Sequence, residues 1–231
     1  LLAAALIISG CARQARPDAR IPPRLTADEV ADLLPKKIPD REGWGLDVLT
    51  ALDANRIHPS RENVCAVLAV IEQESGYRPN PVVPNLARIV QKKLDGYADK
   101  LGPLGRPALD MLLEGKAPGT RESFAARLKK VKTERDLDLV FRDLLRYYEE
   151  EFPTTFAAAN LLGRFTGFGA LAAQNPITTA GSMQVSVRFA MEHPLSRDLE
   201  EWQVRDRLYT RAGGVLYGSA RLLDYEAAYD R

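Results

Sequence analysis

Ile71-Glu72-Gln73-Glu74-Ser75-Gly76-Tyr77-Arg78-Pro79-Asn80-Pro81 is the most informative stretch of the chain. Upstream of it, Ser60 is placed to cap a helix from Arg61 to about Ser75, with Val64, Val67, Leu68, Val70 and Ile71 on one side. A helix turns about 100° per residue. Glu74 falls three residues after Ile71, four after Val70 and seven after Val67, so it continues the apolar stripe at the C-terminal end of the helix. Glu72 points further off that stripe, and Gln73 lies nearly opposite Ile71. A carboxylate on the core side is expected to be partly desolvated, and the negative end of the helix dipole disfavours a further anion there. Both effects favour its protonated form unless a cation folds beside it, and a protonated carboxyl is what a general acid requires. Beyond Gly76, Pro79, Pro81 and Pro84 dictate an extended or turning chain.

Outward from this stretch the pattern is mainly helical. Thr26-Ala27-Asp28-Glu29 has the form of a capping box, opening a short helix that ends near Pro35. A second helix is expected from about Glu42 to Ala54. From Leu86 to Ala173 the chain reads as helices. Phe124, Leu128 and Val131 recur at helical spacing, and Leu137, Phe141, Leu144 and Tyr148 follow Thr133, an expected N-cap. Pro153 interrupts the pattern, which resumes from Thr154 to Ala173 with Gly163, Gly167 and Gly169 inside it. Between Gln174 and Val187 the signal changes. Ile177-Thr178-Thr179 and Met183-Gln184-Val185 flank Ala180-Gly181-Ser182, predicting one small β-hairpin. Helix returns afterwards through Trp202, Leu208, Val215, Leu216, Leu222 and Leu223.

Composition narrows the function. The 231 residues carry 32 Lys plus Arg and 31 Asp plus Glu, a net charge of +1, so attraction to nucleic acid or acidic lipid is not expected to drive function. His58 and His193 each stand beside a proline without metal-ligand spacing, so neither a metal nor a cofactor is expected. No G-x-S-x-G elbow occurs, and Gly163–Gly169 matches no nucleotide fingerprint. The run Leu1 to Ile8 is far short of the roughly 20 residues that span a bilayer. Leu6-Ile7-Ile8-Ser9-Gly10-Cys11 instead resembles the bacterial lipobox, whose cysteine receives lipid after signal-peptide cleavage. Residues 1–10 are then a signal-peptide remnant and 11–23 a lipidated tether. Ala12 after the cysteine favours the outer membrane in that class. With Cys11 lipidated, Cys65 has no disulfide partner and is expected to be a small buried side chain.

Glu74-Ser75 followed by an aromatic residue and Asn-Pro resembles the catalytic motif of the soluble lytic transglycosylases, which have a lysozyme-like fold. Gly181-Ser182-Met183-Gln184-Val185 is similar to that family's hairpin across the cleft. Gly214-Val215-Leu216-Tyr217 keeps the Gly-x-x-Tyr part of its later helix, with Thr210 where the family has Asn. The resemblance implies that Glu74 is the acid/base on the bond between N-acetylmuramic acid and N-acetylglucosamine. The muramyl 6-hydroxyl then closes an anhydro ring, so one acid suffices where most glycosidases need two carboxylates. It further implies that Ser75 supports Glu74 by hydrogen bonding. Ser182, Met183 and Gln184 belong to the substrate-binding hairpin, and Tyr217 packs behind the site. No second carboxylate lies in the hairpin itself, which leaves a distant Asp folding nearby as the alternative.

The expected architecture is therefore a lysozyme-like helical domain over 24–231 with one β-hairpin and a helical insertion at about 86–173. Glu74 and Gln184 lie 110 positions apart, much further than in that family, so the insertion must leave the cleft intact. The family's final Tyr-Asn-Ala-Gly motif is missing and the chain is read as truncated at its C-terminus. The implied partners are peptidoglycan glycan strands, a membrane reached through the lipid anchor at the periplasmic face of the outer membrane, and an envelope protein docking on the insertion. The alternative function is a non-catalytic lipoprotein that binds the wall or scaffolds envelope partners. The enzymatic reading requires Glu74 shielded from solvent and close to Met183 and Gln184.

Overall fold

The computed structural model describes residues 22–100, 102–165 and 171–229. The chain is mainly helical with one two-stranded antiparallel sheet. The first three helices start where side chains cap them. Thr26 and Glu29 form a reciprocal capping box on α1 (Ala27–Leu33), Asp40 accepts from the Gly43 amide at the start of α2 (Arg41–Ala54), and Ser60 accepts from the Asn63 amide on α3 (Arg61–Ser75). Four further helices follow: α4 (Leu86–Lys100), α5 (Gly105–Glu114), α6 (Phe124–Leu128) and α7 (Glu134–Glu151). α7 is opened by a second capping box of Thr133 and Asp136. Pro153 does not sit inside a helix. It is the first residue of α8 (Pro153–Phe165), where its fixed φ and missing N–H cost nothing. Gly167 and Gly169 lie outside the described residues.

The hairpin is present, with both strands shifted one or two residues towards the C-terminus. β1 (Thr179–Ala180) pairs with β2 (Val185–Ser186), with Thr179 opposite Ser186 and Ala180 opposite Val185. Met183 and Gln184 therefore lie in the connecting loop rather than on a strand. The chain closes with α9 (Val187–Glu192), α10 (Glu201–Leu208) and α11 (Arg211–Tyr229). Thr210 caps α11, accepting from the Gly213 amide at 3.0 Å.

Two hydrophobic cores result. The first joins α1–α3 to the hairpin and α9–α11 through Val30, Trp44, Val48, Leu52, Val67, Ile71, Val185, Leu208 and Val215. Arg211 ties α11 to α2 by pairing with Asp40 and Asp47 while its guanidinium covers the Trp44 ring. The second core is built by the 86–173 segment, from Leu86, Val90, Leu113, Phe124, Leu128, Leu137 and Val140, and it is closed by Ile177. A polar seam connects the two. Asp138 of α7, fully buried, accepts from Asn175 Nδ2 at 2.7 Å and from Arg205 Nη1 at 3.2 Å, and pairs with Arg142 at 2.8 Å. Arg142 also reaches Asp206 at 2.8 Å. Among the described residues no helix is long and apolar enough to cross a membrane.

Candidate functional site

The end of α3 is shaped by its own backbone. Gly76 ends the helix in the left-handed region, φ 57°, and Tyr77 follows at φ 63°. Ser75 stabilises this reversal. Its hydroxyl donates to the Ile71 carbonyl at 2.9 Å and accepts the Arg78 amide at 3.2 Å. Tyr77 then turns inward, donating to the Leu68 carbonyl at 3.2 Å and meeting Trp44 edge-on at 5.5 Å. Burial pushes the Tyr77 phenol up to about 12, helped by the charge of Glu72.

Glu74 is exposed, which corrects the expectation that it is shielded. The helical wheel gives the reason. Val64, Val67, Leu68, Ile71 and Ser75 are the buried face, while Val70 is only half-buried. Ser75, four residues after Ile71, continues that face; Glu74 stands about 80° round from its centre, on the flank. Cys65 is corrected for the same reason: one step round from Val64, it is exposed rather than buried.

Exposed as it is, Glu74 borders a groove of about 290 Å³ together with Val70, Met183, Gln184, Gly218 and Arg221. The two stretches separated by the 86–173 segment are thus brought together. The hairpin loop is seated by close contacts with glycine. Gly181 adopts φ 81° and lies so near α10 that a Cβ there would sit 2.1 Å from the Leu208 carbonyl oxygen. A Cβ on Gly218 of α11 would sit 2.2 Å from Met183 Sδ. The Gly214-to-Gly218 face of α11 is therefore a floor for the loop, which accounts for the glycine of the Gly-x-x-Tyr element.

The other sequence-predicted residues fall behind the groove or beside it. Ser75 is buried, and its hydroxyl serves the backbone instead of the Glu74 carboxylate. Ser182 is fully buried under the loop, its Oγ without a hydrogen-bond partner. Tyr217 is also fully buried, its hydroxyl sharing a 2.7 Å bond with Ser196 Oγ and its ring meeting His193 edge-on. Gln184 stays at the groove. Its Oε1 accepts from the Thr179 hydroxyl at 2.7 Å, and its Nε2 donates to Glu134 Oε2 at 3.1 Å. Cys11 lies outside the described residues. Among the described residues no three His, Cys, Asp or Glu side chains gather to hold a metal ion.

Residues 37–231 match a family designated DUF1615, a protein of unknown function. The chain belongs to the DUF1615 family. The uncharacterized protein YaiW of Escherichia coli (strain K12) is 32% identical over 231 residues, covering 99% of this chain. The chain spans only 58% of the length of that relative. No solved structure matches the chain.

In this DUF1615 chain one residue at the groove, Arg221, and one that holds its rim, Glu134, had no signal in the sequence pattern. Glu134 opens α7 and was legible only as the residue after an N-cap; its bond to Gln184 spans 50 positions. Arg221 was one of many charged residues on a helix, and only the path of α11 brings it to the groove. Elsewhere, a wider apolar groove of about 840 Å³ lies among Met111, Phe141, Leu144, Tyr148, Phe152 and Phe156.

Proposed function

We propose that this chain binds murein glycan strands at the Glu74 groove and cleaves them in the manner of a lytic transglycosylase of lysozyme-like fold. Glu74 is the acid/base on the bond between N-acetylmuramic acid and N-acetylglucosamine. Met183 and Gln184 contact the sugars from the opposite rim, while Ser75, Ser182 and Tyr217 hold the two rims in place from behind. One observation carries the reading: Glu74 and the Met183–Gln184 loop border the same groove although the whole helical insertion separates them in sequence. Of the two requirements set by the sequence, the chain itself meets closeness to Met183 and Gln184, whereas Glu74 is exposed, so its shielding falls to the bound strand, which excludes water where it lies between Glu74 and Gln184.

Digestion of purified sacculi tests this. Chromatography is expected to reveal anhydromuropeptides, and Glu74→Gln, which keeps shape and polarity, is expected to abolish them while the circular dichroism spectrum is unchanged. Equal release by Glu74→Gln defeats the assignment, and reducing ends in place of anhydro ends would make the protein a hydrolase. The exposed Glu74 favours a second reading, a non-catalytic lipoprotein that holds the wall or scaffolds envelope partners. Sacculus co-sedimentation without cleavage would select it. Under either reading lipid on Cys11 tethers the chain to the periplasmic face of the outer membrane. Radiolabelled palmitate should enter the full-length protein and be lost in Cys11→Ser.

A further inference from the structure

The apolar groove of about 840 Å³ between α5, α7 and the start of α8 shares no lining residue with the Glu74 groove. Its size falls within the range of about 300–1,000 Å³ usual for small-molecule sites. Rings supply much of its wall. Tyr148 stacks on Phe152 at 5.5 Å, Tyr147 meets Tyr148 edge-on at 5.1 Å, and Phe141 and Phe156 complete the aromatic lining. The Tyr148 hydroxyl donates to the Leu112 carbonyl at 2.7 Å, which ties its ring to the end of α5.

The charge around these rings has one sign. Among the described residues Glu114 is the one Asp, Glu, Lys or Arg in the lining. Glu151 stands on the same face of α7, three residues after Tyr148 and seven after Leu144. Both are exposed, and each is the last residue of its helix, α5 or α7. Neither helix has a basic residue in its last turn. Among the described residues neither glutamate forms an ion pair. Lys116 and Arg146, the nearest cations along the chain, do not line the groove. Each carboxylate thus sits at the negative end of a helix dipole, a placement that does the helix no good. α8 begins at Pro153, and its positive end offsets part of the field of α7. A helix end carries about half a charge and each carboxylate a whole one, so the surroundings stay negative.

This pairing selects an occupant. The carboxylates repel an apolar anion. A neutral apolar body would use the rings and leave both carboxylates without a counter-charge. A cation with an apolar body uses both, and its charge is also drawn to the faces of the rings. We propose that this groove is a binding site for apolar organic cations, with the rings holding the body and Glu114 and Glu151 facing the charge. The site is separate from the Glu74 groove and does not depend on the glycan-strand reading.

Titration calorimetry on full-length protein at low salt tests it, with tetraphenylphosphonium and tetraphenylborate, ions of like shape and opposite charge. Wild type is expected to bind the cation at least about fivefold more tightly, the value of two partly exposed ion pairs. Added salt should narrow the difference. The double variant Glu114→Gln, Glu151→Gln is expected to lose the preference. Glu62→Gln, Glu192→Gln removes as much charge from exposed positions on α3 and α9 and is expected to keep it. Phe152→Ala is expected to weaken binding of the cation about two- to fivefold, as the loss of one ring face implies. Phe152 is 48% exposed, so its truncation leaves the core intact. Should that variant still fail to fold, Thr155→Arg, at an exposed lining position, puts a cation in the groove and is expected to abolish binding of tetraphenylphosphonium. Equal affinity of wild type for the two ions, or no binding of the cation, overturns the proposal. So does wild-type affinity for the cation in the folded Glu114→Gln, Glu151→Gln protein or in Thr155→Arg.

Discussion

Replacing Asp138 by Ala removes the anion at the centre of the polar seam and leaves the Arg205 guanidinium, 5% exposed, without its buried partner. Breaking one side of a buried pair costs about 3–5 kcal/mol, because the surviving charge stays desolvated. Three contacts moderate this. Glu201 still pairs with Arg205 at 2.7 Å, Arg205 still donates to the Ile177 carbonyl at 2.8 Å, and Asp206 still pairs with Arg142 at 2.8 Å. That argues for the lower end, about 3 kcal/mol, to which the stranded Asn175 amide adds about 1 kcal/mol. For a chain of this length each kcal/mol moves the midpoint by about 2–4 °C, so Tm should fall by about 8–16 °C. Urea unfolding followed by circular dichroism measures the loss directly, as a lower midpoint at unchanged slope. The double variant Asp138→Leu, Arg205→Met should recover most of it, since an apolar pair of similar size leaves no stranded charge. A loss below about 1 kcal/mol in Asp138→Ala, or no recovery in the double variant, would refute the claim that the seam is held by desolvated charge.

Gly181→Ala should destabilise more than Gly218→Ala, since the first adds positive-φ strain and a clash with the Leu208 backbone, whereas the second, without that strain, meets only side-chain atoms of Met183, its Sδ at 2.2 Å and its Cβ at 2.8 Å; thermal melts of the two variants rank them. Alkali should destabilise the protein through its buried tyrosines, Tyr77 among them and also Tyr209, which burial raises further. The Tyr77 phenol is raised to about 12 in the folded state, so this stabilisation is complete below the unfolded value of about 10 and is lost as pH climbs from there through about 12. Tyr77→Phe should flatten that part of the stability curve in pH-dependent urea titrations.

What the sequence discloses is mostly local. Thr26, Ser60 and Thr133 announce their helices because a cap hydrogen-bonds only two or three residues ahead. The hairpin was legible as a change of pattern, but its register was not. Gly181 is needed in the turn itself, so the tight loop pulls Met183 and Gln184 out of the returning strand. Glu74 shows a subtler failure. Counting Val70 with the core rotated the inferred buried face towards Glu74, whereas the packed face ends on Ser75. Periodicity finds a stripe to within a residue or two at its edges, and a site at the edge is where that error matters. The Glu134–Gln184 bond was beyond reach, because it depends on how one core docks on the other, and no local preference encodes that.

The Gly181–Gln184 loop rests on α10 through Gly181, on α11 through Met183 and on α7 through Gln184. Four residues so anchored have little freedom to sway on their own. Any tilt of α7, whatever provokes it, reaches the rim of the groove through the Gln184 side-chain amide. The loop is therefore where mechanical communication between the two halves of this molecule should be sought, and the side-chain amide resonances of Gln184 are its natural reporter.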